Sequence, residues 1–352
     1  IQRIVFTSGT TSLPKGAMLS HGNVLANMQA QAAELELRGD DRVLNFAPLY
    51  HVGGLDLPGF GTWYAGGTMV LVRRFDAARI VEMVDRERIT GMVMVATMMN
   101  MIRRLPPETI GDTTSMRWMI FSQATPALLD DTRQVFPTAR LIEGYGMTET
   151  CTGLTYMDTG SPVAAPGSAG FPLHEVDVRI ADEDGATLPV GELGEIVARG
   201  PKIFSGYLDD PDATAEAFFG EWLRTGDVGR IDEAGRLFVL DRRKDMIRSG
   251  GENVASSEIE RVVDAIPEVV EVAAIGVPHE KWVEVPVVAI SVRDGFDPQR
   301  VVEHARASLG RFKQPKAIYV FDGLPRNPSG KVLKRDLRDL LPELTPVWQE
   351  DD

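Results

Sequence analysis

Short apolar runs alternate with amphipathic segments along roughly the first 150 residues, and this alternation limits the fold more than any other feature. The apolar runs predict strands at residues 42–46, 68–72, 91–96, 118–121 and 140–143. Helical spacing predicts helices at residues 23–35, 76–87 and 97–105. Strands separated by helices are typical of an α/β layered domain with a largely parallel sheet.

The chain begins with an apolar triplet, Ile4, Val5 and Phe6, without an initiator Met or a signal-peptide pattern. The triplet predicts a buried strand, and such a strand needs neighbours on both sides. We therefore expect an incomplete layered domain that lacks an N-terminal portion.

The pattern changes twice further along the chain. Glycine-rich turns with short alternating runs at residues 176–180, 195–199 and 237–240 predict a small antiparallel β unit. After it, Ser257 and Glu260 have the spacing of a helix capping box. Two β-rich runs (270–277 and 285–292), a helix (298–309) and a strand (317–321) follow. This part of the chain predicts a compact α+β domain.

Composition excludes several classes of protein. The 352 residues carry a net charge of −14, which disfavours binding to nucleic acid or to anionic membranes. A single cysteine, Cys151, excludes a disulfide framework and a multi-cysteine zinc site, and it fits a cytoplasmic protein. No apolar run approaches the ~18 residues of a transmembrane segment.

A loop rich in hydroxyl groups follows the first predicted strand. Its sequence is Thr7-Ser8-Gly9-Thr10-Thr11-Ser12-Leu13-Pro14-Lys15-Gly16. Hydroxyl and backbone N–H groups cradle anions, glycine permits close approach, and a lysine adds positive charge. The loop therefore predicts phosphate binding rather than a plain surface turn. It is not a Walker A loop, because its lysine precedes the second glycine.

Further segments fall in order along the chain, and together they resemble the adenylate-forming superfamily of acyl-CoA synthetases, luciferases and peptide-synthetase adenylation domains. Besides the phosphate loop they are Tyr145-Gly146-Met147-Thr148-Glu149, Gly191-Glu192-Leu193-Gly194-Glu195, Arg199-Gly200-Pro201, Gly206-Tyr207, Thr225-Gly226-Asp227, Asp241-Arg242-Arg243-Lys244-Asp245, Gly250-Gly251-Glu252-Asn253, Glu258-Ile259-Glu260 and Pro328-Ser329-Gly330-Lys331.

The resemblance implies a two-step reaction. A carboxylate attacks the α-phosphate of ATP to give an acyl-adenylate and pyrophosphate, and the thiol of coenzyme A then displaces AMP. The implied cofactors are ATP, Mg²⁺ and coenzyme A as co-substrate. The resemblance makes Lys331, Thr148 and Glu149 the catalytic residues, with Glu149 as the Mg²⁺ ligand.

The same resemblance distributes the remaining site residues. Those expected to bind ATP or AMP are Thr7, Ser8, Gly9, Thr10, Thr11, Lys15, Glu143, Gly144, Tyr145, Gly146, Asp227 and Arg242. The acyl pocket is expected at His51, Val52, Gly53 and Gly144. Lys244 matches the family hinge, and Gly250 and Gly251 match the coenzyme A tunnel.

The expected domain organisation follows from the segments. Residues 1–160 form a partial α/β nucleotide-binding subdomain, and residues 161–240 a small β-rich subdomain of the same large domain. Residues 241–245 form a hinge, and residues 246–352 a mobile α+β lid.

The substrate is expected to be a fatty or aryl monocarboxylate, because residues 52–67 are small and apolar and contain no Lys or Arg. An amino-acid-activating domain is the main alternative, with Asp56 as a weak candidate for the amine anchor. A luciferase-like oxygenase shares the same segments. A non-catalytic nucleotide-binding relative is suggested by Ser12, which replaces a family glycine. A homodimer is left open.

Overall fold

The computed structural model describes residues 1–7, 14–122, 126–326 and 332–350. The chain divides into two compact units. The large unit comprises Ile1–Thr225 and Gly229–Val239, and the small unit comprises Gly226–Val228 and Leu240–Asp352. The finer boundary at residue 160 and the hinge at residues 241–245 stay predictions.

The chain begins with an antiparallel hairpin of β1 (Arg3–Thr7) and β2 (Lys15–Leu19). The prediction of a buried strand here was wrong. Val5 is buried, but Phe6 is 68% exposed and Ile4 40% exposed. Alternate residues of a strand point to opposite faces, and in this structure only one face of β1 packs against the core.

A seven-stranded sheet forms the centre of the large unit, in the order β4-β3-β5-β6-β7-β8-β9. Strands β3 to β7 are parallel to their neighbours, and β8 and β9 are added antiparallel. The bounds are β3 (Arg42–Asn45), β4 (Thr68–Leu71), β5 (Gly91–Val93), β6 (Trp118–Phe121), β7 (Arg140–Met147), β8 (Thr152–Asp158) and β9 (Phe171–Pro172). The predicted largely parallel sheet is confirmed.

Both faces of this sheet are covered. Along β6, Trp118 and Ile120 join one apolar core, while Met119 and Phe121 join another. All four residues are buried, which is why this strand reads as a continuous apolar run.

The helices of the large unit include the predicted ones. They are α1 (His21–Glu34), α2 (Val52–Leu55), α3 (Gly61–Tyr64), α4 (Ala77–Glu87), α5 (Ala96–Ile102), α6 (Pro126–Val135) and α7 (Pro211–Glu216). Ser20 and Asn23 form a reciprocal capping box at α1, and Asp76 caps α4. Within the described residues no helix is long and apolar enough to cross a bilayer.

A second sheet has the order β10-β11-β13-β12, with β14 beside β13. The pairs β10–β11 and β12–β13 are antiparallel, in agreement with the predicted β unit. The bounds are β10 (Asp177–Ala181), β11 (Gly194–Arg199), β12 (Phe218–Phe219), β13 (Trp222–Ile231) and β14 (Leu237–Arg242).

The small unit contains a third sheet, in the order β16-β15-β18-β19-β20, with β17 beside β18. Its strands are β15 (Ile247–Ser249), β16 (Glu252–Val254), β17 (Val269–His279), β18 (Val283–Val292), β19 (Ala317–Val320) and β20 (Trp348–Gln349). Its helices are α8 (Ser256–Asp264), α9 (Pro298–Ser308) and α10 (Lys334–Leu340). Ile259, Val288 and Ile318 lie in its apolar core.

The predicted capping box of Ser257 and Glu260 was wrong. Helix α8 begins at Ser256, and the Asp241 carboxylate accepts hydrogen bonds from the N–H groups of Ser256 and Ser257 at 2.5 and 3.4 Å. Ser257 instead donates its hydroxyl to the carbonyl of Leu240, and Glu260 accepts the N–H of Ala274 at 2.9 Å. The N-terminus of α8 is therefore capped by Asp241, a residue distant in sequence, and not by Ser257 and Glu260.

Candidate active site

The phosphate loop joins two antiparallel strands rather than a strand and a helix. Thr7 and Lys15 face each other at its two ends, and the Thr7 hydroxyl lies 3.4 Å from the Lys15 carbonyl oxygen. The binding residues Ser8, Gly9, Thr10 and Thr11, and the unusual Ser12, lie outside the described residues. In Walker A proteins, by contrast, the phosphate loop leads into the N-terminus of a helix.

The segment from Glu143 to Gly146 is the end of strand β7, which runs four residues beyond the predicted 140–143. Glu143 pairs with Met157 and Tyr145 with Thr155, and the register shifts between Tyr145 and Gly146. A Cβ on Gly146 would lie 2.0 Å from the Thr152 carbonyl oxygen, so this bulge requires glycine.

Gly144, next to the bulge, is less tightly confined. A Cβ there would lie 3.1 Å from Ile120 and 3.2 Å from Tyr156, both through side-chain atoms. Thr148 and Glu149 follow the strand in one turn of 3₁₀ helix, Thr148–Thr150. The structure thus places Glu143 to Glu149 along one strand end and the turn that follows it.

Glu149 is a buried carboxylate with a defined partner. It is 5% exposed, and its Oε1 accepts the hydroxyl of Tyr207 at 2.8 Å. The ammonium of Lys15 lies 5.2 Å from the centroid of the Tyr207 ring. Burial and the neighbouring Glu149 raise the pKa of Tyr207, so its hydroxyl stays protonated at neutral pH. One tyrosine thus contacts the expected metal ligand and the expected phosphate lysine.

Two strained residues follow this turn. Cys151 and Thr152 have φ of 50° and 81°, a conformation unusual for residues with a side chain. Lys202, 1% exposed, donates to the carbonyl of Gly153, the next residue. Burial lowers the pKa of Lys202 to about 8 and raises that of Cys151. Cys151 is fully buried in the core.

Three of the four residues expected at the acyl pocket, His51, Val52 and Gly53, lie together at the start of α2, whereas Gly144 lies on β7. His51 precedes the helix, and its Nδ1 accepts the N–H of Gly53 at 3.0 Å. Desolvation lowers the pKa of His51, which favours the neutral ring. Val52 is buried against the core that contains Trp118. His51 therefore acts as a helix cap in this structure, and its role at an acyl pocket stays a prediction.

Asp56 is not placed to anchor a substrate amine. It is 1% exposed, and its carboxylate forms an ion pair with Arg3. The thiol of Cys151 also donates to its Oδ1 at 3.7 Å. Sequence reasoning could not foresee this partner, because Arg3 and Asp56 are far apart in the chain and on different elements.

The residues expected at the ribose lie in the small unit. Asp227 is 5% exposed, and Arg242 Nε lies 3.4 Å from its Oδ1. Asp227 and Arg242 therefore form an ion pair. The expected contact of both side chains with ribose stays a prediction.

The two glycines expected at the coenzyme A tunnel form the turn between β15 and β16. Gly250 and Gly251 have φ of 63° and 87°, as a two-residue hairpin turn of type I′ requires. Gly250 donates its N–H to the carbonyl of Trp282 at 2.9 Å. Lys244 is exposed in the turn after β14. Lys331 lies outside the described residues.

Two family models match the chain. The AMP-binding enzyme model matches residues 3–208, and the AMP-binding enzyme C-terminal domain model matches residues 258–331. The chain belongs to the AMP-binding enzyme family. The family match covers the hairpin, the parallel sheet and the Glu149–Tyr207 contact within one domain model.

Curated members of the AMP-binding family include similar chains. A feruloyl-CoA synthase from Amycolatopsis sp is 38% identical over 338 residues, covering 95% of this chain and 69% of the relative. The long-chain-fatty-acid–CoA ligase FadD13 of Mycobacterium tuberculosis is 35% identical over 337 residues, covering 96% and 67%.

A solved structure shows the same fold. The O-succinylbenzoate coenzyme A synthetase (MenE) of Bacillus subtilis, in complex with ATP and magnesium ion, superimposes with a TM-score of 0.86. It is 32% identical, and the likeness covers 96% of this chain and 69% of that one.

Tyr207, Lys202 and Arg3 are the residues around the site to which sequence reasoning assigned no role. For Tyr207 a signal existed, since Gly206-Tyr207 is one of the family segments. For Lys202 and Arg3 none existed, because a surface lysine or arginine has the same local pattern as a buried one.

Proposed function

We propose that the protein is an acid–thiol ligase that activates a carboxylic acid with ATP and transfers the acyl group to coenzyme A. The observation that carries the proposal is the contact of Tyr207 with both Glu149 and Lys15, beside the phosphate hairpin. It brings a carboxylate, a cation and an anion-binding loop together within a domain that matches the AMP-binding family.

The first step joins the acid to AMP. One carboxylate oxygen bonds to the α-phosphorus of ATP, the bond from that phosphorus to the bridging oxygen breaks, and pyrophosphate leaves with the electron pair. Lys15 and the donors of the loop would stabilise phosphate charge, and Thr148 would donate to the α-phosphate. Lys331 would neutralise charge between the two reactants. In the second step the sulfur of coenzyme A bonds to the acyl carbon and the thiol proton is released to solvent. The bond from the acyl carbon to the phosphate oxygen breaks, and AMP leaves with the electron pair.

The residues present fit a magnesium ion. Magnesium is usually held by one or two carboxylates, with substrate phosphates and water as the other ligands. Among the described residues no group of three or more His, Cys, Asp or Glu forms a metal cage, while Glu149 offers a single buried carboxylate beside the phosphate hairpin. Glu149 would hold the ion, which would supply charge neutralisation on the phosphates.

The substrate class is a fatty or aryl monocarboxylate. Residues 52–67 are apolar and small, and they contain no Lys or Arg. The nearby guanidinium of Arg3 is already paired with Asp56, so it is not free to bind a second substrate carboxylate. The same pair removes the candidate amine anchor, which disfavours an amino acid. The names of two relatives, a feruloyl-CoA synthase and a long-chain-fatty-acid–CoA ligase, agree with this class.

We also propose a cytoplasmic location for the protein. The single thiol, Cys151, is buried, which fits a protein of the reducing cytoplasm. The net charge of −14 disfavours nucleic acid as a partner. A homodimer stays a prediction.

A product assay over a carboxylate panel tests the proposed ligase. The natural protein is incubated with ATP, Mg²⁺, coenzyme A and fatty, aryl, dicarboxylic or amino acids, and the acyl-CoA and AMP formed are separated chromatographically. We expect equal amounts of acyl-CoA and AMP from fatty or aryl acids. AMP formation without acyl-CoA, or activity with amino acids alone, would contradict the proposal.

A further inference from the structure

Tyr207 occupies a junction between three parts of the large unit. Its N–H donates to the hydroxyl of Thr214 in α7 at 2.8 Å, and its ring packs edge-on against Phe204 with centroids 4.9 Å apart. Its hydroxyl reaches Glu149, and its ring faces Lys15. The backbone N–H, the ring and the hydroxyl of Tyr207 therefore have different partners.

The backbone around Tyr207 extends the phosphate hairpin. Ala17 and Tyr207 form an antiparallel bridge, and the N–H of Leu208 donates to the carbonyl of Gly16 at 2.8 Å. The N–H of Met18 donates to the carbonyl of Gly206 at 2.9 Å. The segment thus lies antiparallel beside β2, the strand that follows the loop expected to bind phosphate, and it is joined to β2 by an isolated bridge.

The same segment also holds the turn that carries Glu149. The N–H of Phe204 donates to the backbone carbonyl of Glu149 at 2.8 Å, while the Tyr207 hydroxyl donates to its carboxylate at the same distance. Main chain and side chain of Glu149 are therefore both bonded to residues 204–207. A carboxylate accepting one such bond has its rotamer restricted, and its second oxygen keeps the capacity to bind a cation.

We propose that Tyr207 is a positioning residue for both halves of the phosphate–metal site: its hydroxyl orients Glu149 toward Mg²⁺, and its ring orients Lys15 toward the nucleotide phosphates. The proposal rests on the proposed function. It assigns two contributions to one side chain, and they can be separated because substitution can remove the hydroxyl while the aromatic ring stays.

Two variants separate the contributions. Tyr207→Phe removes the hydroxyl and keeps the ring against Phe204 and Lys15, whereas Tyr207→Leu removes both. Tyr319→Phe is the matched control, since Tyr319 lies on β19 in the small unit, outside the proposed site. Circular dichroism and melting curves establish that each variant is folded.

The measurement is binding rather than turnover. Electron paramagnetic resonance of Mn²⁺, used in place of Mg²⁺, gives its dissociation constant in the presence of α,β-methylene-ATP, which cannot react. Calorimetry gives the affinity of the same analogue without metal. We expect Tyr207→Phe to raise the Mn²⁺ dissociation constant about tenfold, as loss of a hydrogen bond to a charged group implies, and to leave metal-free affinity within about twofold. Tyr207→Leu should weaken both.

An unchanged or tighter Mn²⁺ affinity in Tyr207→Phe would overturn the proposal. Equal losses of metal-free analogue affinity in both variants would also overturn it, since that result indicates general disruption. If Tyr207→Leu is unstable, the Mn²⁺ dissociation constant of Tyr207→Phe still tests the proposal. Failure of the wild-type protein to activate any acid would instead refute the proposed function. The affinities for Mn²⁺ and for the ATP analogue could still be measured in that case.

Discussion

At the scale of single residues, Lys202 shows how a buried charge is accommodated next to the candidate site. Its ammonium bonds to the carbonyl of Gly153, immediately after the strained pair Cys151 and Thr152. Residues in left-handed conformations cost about 1–3 kcal/mol each and need surrounding structure to hold them. Lys202 supplies part of that support, at the cost of desolvating its own charge.

The stability of the large unit should therefore depend on pH through Lys202. Its pKa falls from 10.5 to about 8 on folding, a change worth about 3 kcal/mol. Between these values the unfolded chain binds more protons than the folded one, so stability rises with pH. Relative to Lys202→Met, the wild-type protein should gain stability between about pH 7.5 and 10, as measured by urea unfolding.

A second substitution controls for the general effects of pH. Lys281→Met removes an exposed lysine and should leave the stability difference from wild type unchanged over the same range. A difference between wild type and Lys202→Met that stays constant with pH would show that Lys202 keeps its ordinary pKa in the folded protein.

The functional roles of single residues could be predicted only where those residues lie in a family segment. Gly146 is in such a segment, and the structure explains it by the close carbonyl of Thr152. Tyr207 was marked without a role, and Lys202 not at all. Which atoms a side chain faces depends on elements distant in sequence, and no local pattern contains that information.

At the scale of elements, the long periodic segments were the predictable ones. Helix α4 and strand β6 appear at the expected positions. The apolar residues of α4 have the spacing of one buried stripe, and those of β6 form a continuous run that is buried on both faces. Strand β1 was judged more buried than it is, since an apolar run does not reveal whether one face or both are covered. The cap of α8 was misassigned because its partner lies fifteen residues upstream.

Asp241 should stabilise the small unit as the cap of α8. Its carboxylate accepts from the N–H groups of Ser256 and Ser257 and from the Ser256 hydroxyl. Asp241→Ala should lower the unfolding free energy by about 1–2 kcal/mol, the usual value of an N-cap side chain. Thermal unfolding checks this, with Asp294→Ala in an exposed turn as the control. Equal effects of the two substitutions would refute the capping role.

At the scale of the whole molecule, the charge distribution requires local capture of anionic substrates. The net charge of −14 repels ATP and coenzyme A at long range. Binding must therefore depend on a few cations such as Lys15, on oriented N–H groups and on bound Mg²⁺. The affinity for ATP should come from these local contacts rather than from electrostatic steering.

The predicted hinge at Lys244 is also a property of the whole molecule. The two half-reactions are expected to need two different arrangements of the units. A substitution that blocks the change of backbone torsions at the hinge should therefore suppress one half-reaction and spare the other. Lys244→Pro should leave acyl-adenylate formation near the wild-type rate and suppress thioester formation, measured separately by rapid quench. Lys244→Ala, which keeps backbone freedom, should support both steps. Equal loss of both half-reactions in Lys244→Pro would refute the hinge.

The central claim is that the protein forms an acyl-adenylate from a carboxylic acid and ATP. Exchange of labelled pyrophosphate into ATP tests it most directly, because exchange requires only the first step and no coenzyme A. The natural protein should catalyse exchange that depends on Mg²⁺ and on a fatty or aryl acid, and Glu149→Gln should reduce it by about 100-fold or more. Absence of exchange with every acid of the panel would contradict the claim and favour a non-catalytic nucleotide-binding protein.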